Sequence, residues 1–254
     1  MKPPADREQL RAQHETEAIE ARLAAAKSNS YLGDTVLGAI DGCVTTFAVV
    51  AGAAGAALPA GVAIVLGLAN LLADGFSMAA SNYQRAKSEH DLLQRARAVE
   101  EMHVREVPEG EREEVRQIFA AKGFQGEVLE EIVRGITQDR RLWVDTMLTE
   151  ELGLRLDPPQ PLAAALTTFA GFCAAGMVPL LPYLLPGLPA DRVFAVSALA
   201  TAATFFVIGL LKGRVLQHPL LKSGTETLLV GGAAAVLAYG VGILLRDLAG
   251  TLPI

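Results

Sequence analysis

Five apolar segments, with one long charged insertion after the second, leave this chain few ways to fold. The segments cover residues 31–58, 61–83, 162–185, 192–211 and 222–245. Each meets or approaches the ~20 apolar residues that carry a helix across a bilayer. In lipid every backbone N–H and C=O must find its partner inside the chain, so segments of this kind cross as helices. The expected fold is all-α: a multi-pass membrane protein with five transmembrane helices and a three-helix domain inserted between spans two and three. The expected domains are an N-terminal amphipathic helix (1–30), spans one and two (31–83), a helical inserted domain (84–161) and spans three to five (162–254).

The first thirty residues mix Glu15, Glu17 and Glu20 with Arg11 and Arg22, a pattern that no cleavable leader has. They read as an amphipathic helix ahead of the membrane. Lys212, Arg214 and Lys222 crowd the connection between spans four and five, whereas residues 58–61 carry no charge. The positive-inside rule then puts the N-terminus and the inserted domain in the cytoplasm and the C-terminus outside.

Asp41 stands in an otherwise apolar stretch, residues 35–58, and Asp74 with Met78 lies in the next one. A carboxylate at mid-membrane costs a few kcal/mol even on the gentlest scale, which points to an ion or proton pathway. Asp34, Gly38, Asp41 and Thr45 share one helix face by spacing, as do Asn70, Asp74 and Met78. Cys43 and Cys173 fall within spans and read as small packing residues. No Gly-rich phosphate loop is present, so transport would run on a gradient rather than by that route of nucleotide hydrolysis.

Residues 83–157 hold 12 Lys and Arg against 17 Asp and Glu, an excess of five acids in a chain of net charge −6. Helices are expected over 81–107, stopped at Pro108, over 111–122, stopped at Gly123, and over 127–154, ended before Pro158. Glu100 with His103, Glu111 with Glu114, and Met147 with Glu151 each share a helix face. Carboxylates and an imidazole suit Fe, Mn, Co or Zn, and a thioether leans away from Mg and Ca.

The runs Gly38-Ala39-Ile40-Asp41-Gly42, Thr46 to Gly52 and Gly67 to Ser81, including Asp74-Gly75-Phe76-Ser77-Met78, resemble the signature of the vacuolar iron transporter family. The likeness continues through Glu111 and Glu114, Trp143 to Met147, Glu151 to Leu154, Lys212-Gly213-Arg214 and Lys222-Ser223-Gly224. It implies that Asp41 and Met78 are metal ligands in the pathway; by the shared helix faces, Asp34, Asp74 and Asn70 join Asp41 as candidates for proton coupling or the pathway itself. It further implies that Glu100, Glu111, Glu114, Met147 and Glu151 are ligands of the cytoplasmic domain; His103 is a candidate ligand by its spacing from Glu100. The implied activity is export of Fe(II), with Mn(II), Co(II) or Zn(II) as further candidate ions, from the cytoplasm in exchange for protons, by a homodimer. No resident cofactor, nucleic-acid partner or enzymatic reaction is implied. A bacterial cell membrane is the expected location, and a vacuolar one the alternative.

The chain departs from the family pattern in three places. His103 stands where a Glu is usual, Leu148 where some members have a second Met, and Asn82 where many place a Glu that could carry a proton. Two other readings compete: a ferritin-like iron oxidase tethered to the membrane, and a passive divalent-metal channel. The oxidase needs two Glu-x-x-His motifs, and residues 100–103 supply one.

Overall fold

In the computed structural model, which describes residues 11–12, 14–26, 31–215 and 218–249, regular structure is entirely helical among the described residues. The helices are α1 (Thr16–Ala26), α2 (Leu32–Gly55), α3 (Ala60–Glu106), α4 (Pro108–Ala121), α5 (Gly126–Gln138), α6 (Arg140–Thr146), α7 (Pro161–Gly176), α8 (Leu181–Leu184), α9 (Ala190–Val215) and α10 (Leu220–Ala249). A π-helical turn, Met147–Glu151, follows α6, and a 3₁₀ turn, Val178–Leu180, joins α7 to α8. Five segments are long and apolar enough to cross a membrane: Leu32–Gly55, Ala60–Glu106, Pro161–Leu184, Arg192–Arg214 and Leu220–Arg246. The chain divides into two compact units, residues 1–83 with 161–254, and residues 84–160. Of the helix expected over 1–30, α1 is seen, and residues 1–10, 13 and 27–30 lie outside the described residues.

Within the first unit α2 takes the central place because its glycines admit other backbones. A Cβ built on Gly38 would overlap the carbonyl oxygen of Thr168, one on Gly42 that of Phe172, and one on Gly171 that of Thr35. On another side of α2, Gly55 abuts the carbonyl of Tyr239 and Gly242 that of Gly52. Helices without a hydrophobic drive between them associate by such close packing of small residues. Cys43, Ala175, Phe205 and Ile208 form one buried cluster beside α2, and Phe47, Val50, Ala51 and Leu180 form a second. Leu229, Val230, Val236 and Leu237 on α10 are left exposed, an apolar face suited to lipid. Gly42→Ala is therefore expected to lower stability by about 1–3 kcal/mol through overpacking. Gly33→Ala, where nothing lies within 4 Å, is the control that should cost nothing. Thermal unfolding in detergent checks both.

The third span is not one helix. Pro179 and Pro182 lack the N–H that an α-helix needs, and the chain passes through the 3₁₀ turn before the short α8. Lys212 and Arg214 lie in the last turn of α9 rather than in a loop, and Lys222 in the first turns of α10.

The second unit packs Leu93, Val104, Val115, Leu129, Val133, Trp143, Val144, Met147 and Leu148 into one core. Its first helix is the C-terminal part of α3, which runs on through residue 83, where the expected span and the helix expected over 81–107 overlap. The single helix expected over 127–154 is instead three pieces. Asp139 has extended backbone, and its carboxylate accepts the N–H groups of Arg141 and Leu142 at 2.8 and 3.1 Å, so it caps α6 and ends α5. Beyond Thr146 the ladder loosens, with Leu152 N–H donating to the Met147 carbonyl at 3.2 Å, and Gly153 closes the helix at φ +64°.

Candidate metal centre

Glu100 and His103 are three residues apart near the end of α3, hence neighbours on one face. Val107 leaves the helical region (φ −134°, ψ 52°) and Pro108 starts α4, a sharp turn that carries Glu111 back against α3. The result is a group in which Glu100, His103 and Glu111 each offer a ligand atom, all within 4.8 Å of one another. Two ligands on opposite sides of an ion at about 2.1 Å lie about 4.2 Å apart, so the group closes on a cation by small side-chain rotations. His103 Nδ1 lies 3.2 Å from Glu111 Oε1.

Both carboxylates are out of water: Glu100 is 4% exposed and Glu111 2%. Glu100 Oε2 and Glu111 Oε2 are buried and have no hydrogen-bond partner. A buried, unpartnered carboxylate oxygen is costly, and a divalent cation is a ligand that removes that cost from both at once. Burial, then the charges of Glu114 and Glu100, push the Glu111 carboxyl up to about 7. Glu100 is raised by burial and then by Glu151, and Glu151 by burial and then by Glu114. These four carboxylates thus feel one another, although Glu114 and Glu151 are exposed and stand outside the three-residue group. Met147 is fully buried in the apolar core of this unit. The π turn spans Met147 and Glu151, whose i, i+4 spacing is close to one π-helical turn.

Other acids of this unit have cations beside them. Arg116 binds Glu130 at 2.7 Å as well as Glu113, Lys122 binds Glu150, and Arg97 holds Asp145 at 2.5 Å. Among the described residues, the cation-forming group beside the Glu100–Glu111 pair is the His103 imidazole.

In the membrane unit, Asp41 is half-buried on α2, and Asp74 on α3 is exposed but within electrostatic reach of it. Asp34, Met78 and Asn70 are half-buried, and the Asn70 amide nitrogen is buried with no partner. Among the described residues Asp34, Asp41 and Asp74 do not form a three-ligand group. Two residues escaped the sequence reading. Asp139 stands where a helix start could have been seen, as Asp ahead of two Arg and an apolar run; Thr168 binds Asn82, and no spacing rule pairs residues 86 apart.

The comparisons agree with this architecture. The pattern of the VIT family matches residues 32–243. The chain is 34% identical over 232 residues to a vacuolar iron transporter of Toxoplasma gondii, covering 88% of this chain and 77% of that protein. It is 32% identical to vacuolar iron transporter 1 of Oryza sativa subsp. japonica (84% of this chain, 85% of that one) and 33% identical to vacuolar iron transporter 1 of Arabidopsis thaliana (81% and 82%). With five spanning helices, and a family match that runs from the first span into the last, the chain is an integral membrane protein that belongs to the VIT family.

Proposed function

We propose that this protein moves Fe(II), and Mn(II) by the same route, out of the cytoplasm in exchange for protons, as a homodimer with its N-terminus and the 84–160 unit in the cytoplasm. The observation that carries the reading is the pair of buried, unpartnered carboxylate oxygens of Glu100 and Glu111 converging with His103, in a chain of this family. Relatives named as vacuolar iron transporters support iron as cargo and an organelle membrane as one location. Glu100, His103 and Glu111, with Glu114, Glu151 and Met147 around them, gather the ion from the cytoplasm. Asp41 and Met78 pass it across, with Asp34, Asn70 and Asp74 lining the way. A carboxylate in an apolar span favours a proton or a metal ion in turn, and that competition couples the two flows. Fe(II) or Co(II) uptake into proteoliposomes, with and without a proton gradient, is the test. Flux that ignores the gradient would return the passive channel to first place, and oxygen consumption on adding Fe(II) the oxidase.

The Glu111 value gives a second measurement. Below about 7 its carboxyl carries a proton that an arriving cation displaces. Binding of Co(II) is expected to release about one more proton per ion at pH 6 than at pH 8.5. Titration in weakly buffered solution with a pH indicator reads the difference, and equal release at both values would remove Glu111 from the ligand set.

A further inference from the structure

We infer that Asn82 is a positioning residue: it latches α3 onto α7 and so sets the height of Met78 against Asp41. The inference rests on the pathway role proposed above for those two residues. The Asn82 amide nitrogen lies 3.1 Å from the carbonyl oxygen of Ala164 and 2.7 Å from Thr168 Oγ1. A carbonyl can only accept, so the amide atom facing it is the nitrogen. The Thr168 hydroxyl spends its own proton on Ala164 at 2.8 Å and accepts from Asn82, which leaves the three groups mutually consistent. Thr168 is fully buried.

Direction matters here because the other α3 contacts seen at its glycines and at Gly176 are apolar. In the membrane unit α3 meets its neighbours through apolar side chains: Leu180 against Gly67, Phe169 and Phe172 against Gly75, and Leu71 against Gly176. Such contacts tolerate sliding and rotation, whereas a two-acceptor amide bond fixes both. Residue 168 is also where α2 is registered, since the Thr168 carbonyl sits against Gly38. Asn82 and Gly38 are therefore both registered against α7 around Thr168. The four-residue connection after Gly55 makes α2 and α3 antiparallel, and both pack on α7. At about 1.5 Å per residue, Asp41 is ~4.5 Å along α2 from Gly38 and Met78 ~6 Å along α3 from Asn82. The latch thus fixes Met78 along the same α7 surface that registers Asp41 through Gly38. Met78, one turn from Asn82, shares its face.

Two readouts on the full-length protein test this. In a background of Cys43→Ala and Cys173→Ala, the pair Asp41→Cys with Met78→Cys is treated with a short bifunctional thiol reagent and scored by mass. Cross-linking is expected to fall at least fivefold when Asn82→Leu or Thr168→Val is added, and to return with Thr168→Ser, which keeps the hydroxyl. On the native cysteines, the ratio of Co(II) to Mn(II) flux into proteoliposomes is expected to fall at least threefold in Asn82→Leu and Thr168→Val and to recover in Thr168→Ser. The softer ion loses more when the thioether is misplaced. Cross-linking unchanged by Asn82→Leu overturns the latch, and a wild-type flux ratio despite lost cross-linking overturns its functional role. If the unaltered protein moves no metal, the transport reading fails while cross-linking still decides the register.

Discussion

Asp41→Asn is expected to cut metal flux into proteoliposomes by about 100-fold or more, equivalent to about 2.7 kcal/mol of lost barrier lowering. An amide keeps the shape of the side chain but cannot ionise, so it neither binds a cation as an anion nor exchanges it for a proton. Folding is not the casualty. Removing an ionisable group from an apolar span relieves a cost of a few kcal/mol, so the variant should melt no lower than the parent in detergent. Loss of flux together with loss of its pH dependence is the signature; flux that stays pH-dependent in Asp41→Asn would assign the coupled proton elsewhere, with Asp34 and Asp74 the next residues to test. Asp74→Asn should act more weakly, because Asp74 is exposed in the protomer where Asp41 is half-buried.

Glu111→Gln is expected to act in opposite directions on binding and on stability. Metal affinity of the 84–160 unit should fall about 100-fold, because the variant removes a charged ligand and leaves Glu100 without its partner across the ion. Stability without metal should rise, and only at higher pH. A carboxylate whose value is raised on folding contributes most below its ordinary range and loses that contribution as pH passes through the raised value, here about 7. Gln imitates the protonated form at every pH. The variant should therefore melt higher than the parent at pH 8 and level with it near pH 4, and with Co(II) present the order at pH 8 should reverse. A melting temperature at pH 8 that is unchanged or lower in the metal-free variant would mean that Glu111 is held by contacts rather than strained by its neighbours. Glu130→Gln is the contrasting control: its carboxyl lies below the ordinary range because it accepts hydrogen bonds from Arg116, and its loss should not touch metal binding.

Much of the candidate site was legible from spacing. Glu100 and His103 had to share a face once residues 81–107 were helical, and Pro108 announced the turn that returns Glu111. Burial was not legible. Glu111 and Glu114 look alike in sequence, yet one is 2% exposed and the other open to solvent, because only Glu111 faces α3 across the turn. In sequence, His103 stands where the resembled family usually has a Glu. In place, it is the group of opposite charge capacity nearest two crowded acids, 3.2 Å from one of them.

Asn82 shows the same limit from the other side. Set against the family resemblance it reads as a missing proton carrier; in the fold it is a donor whose two acceptors come from a helix more than 80 residues away. The helix boundaries follow suit: Asp139 and the prolines at 179 and 182 interrupt segments whose apolar pattern runs straight through them.

The chain alone determined that there are five spans, that the fold is helical, and which residue types could hold a divalent cation. These follow from local rules: a bilayer demands internally satisfied backbone over a set length, and helical periodicity assigns faces. Tertiary structure alone decided which acids lose water, which find a cation, and which helices touch backbone to backbone. Those outcomes depend on what arrives from elsewhere in the chain, such as Thr168 at Gly38 and at Asn82, and no local period encodes it.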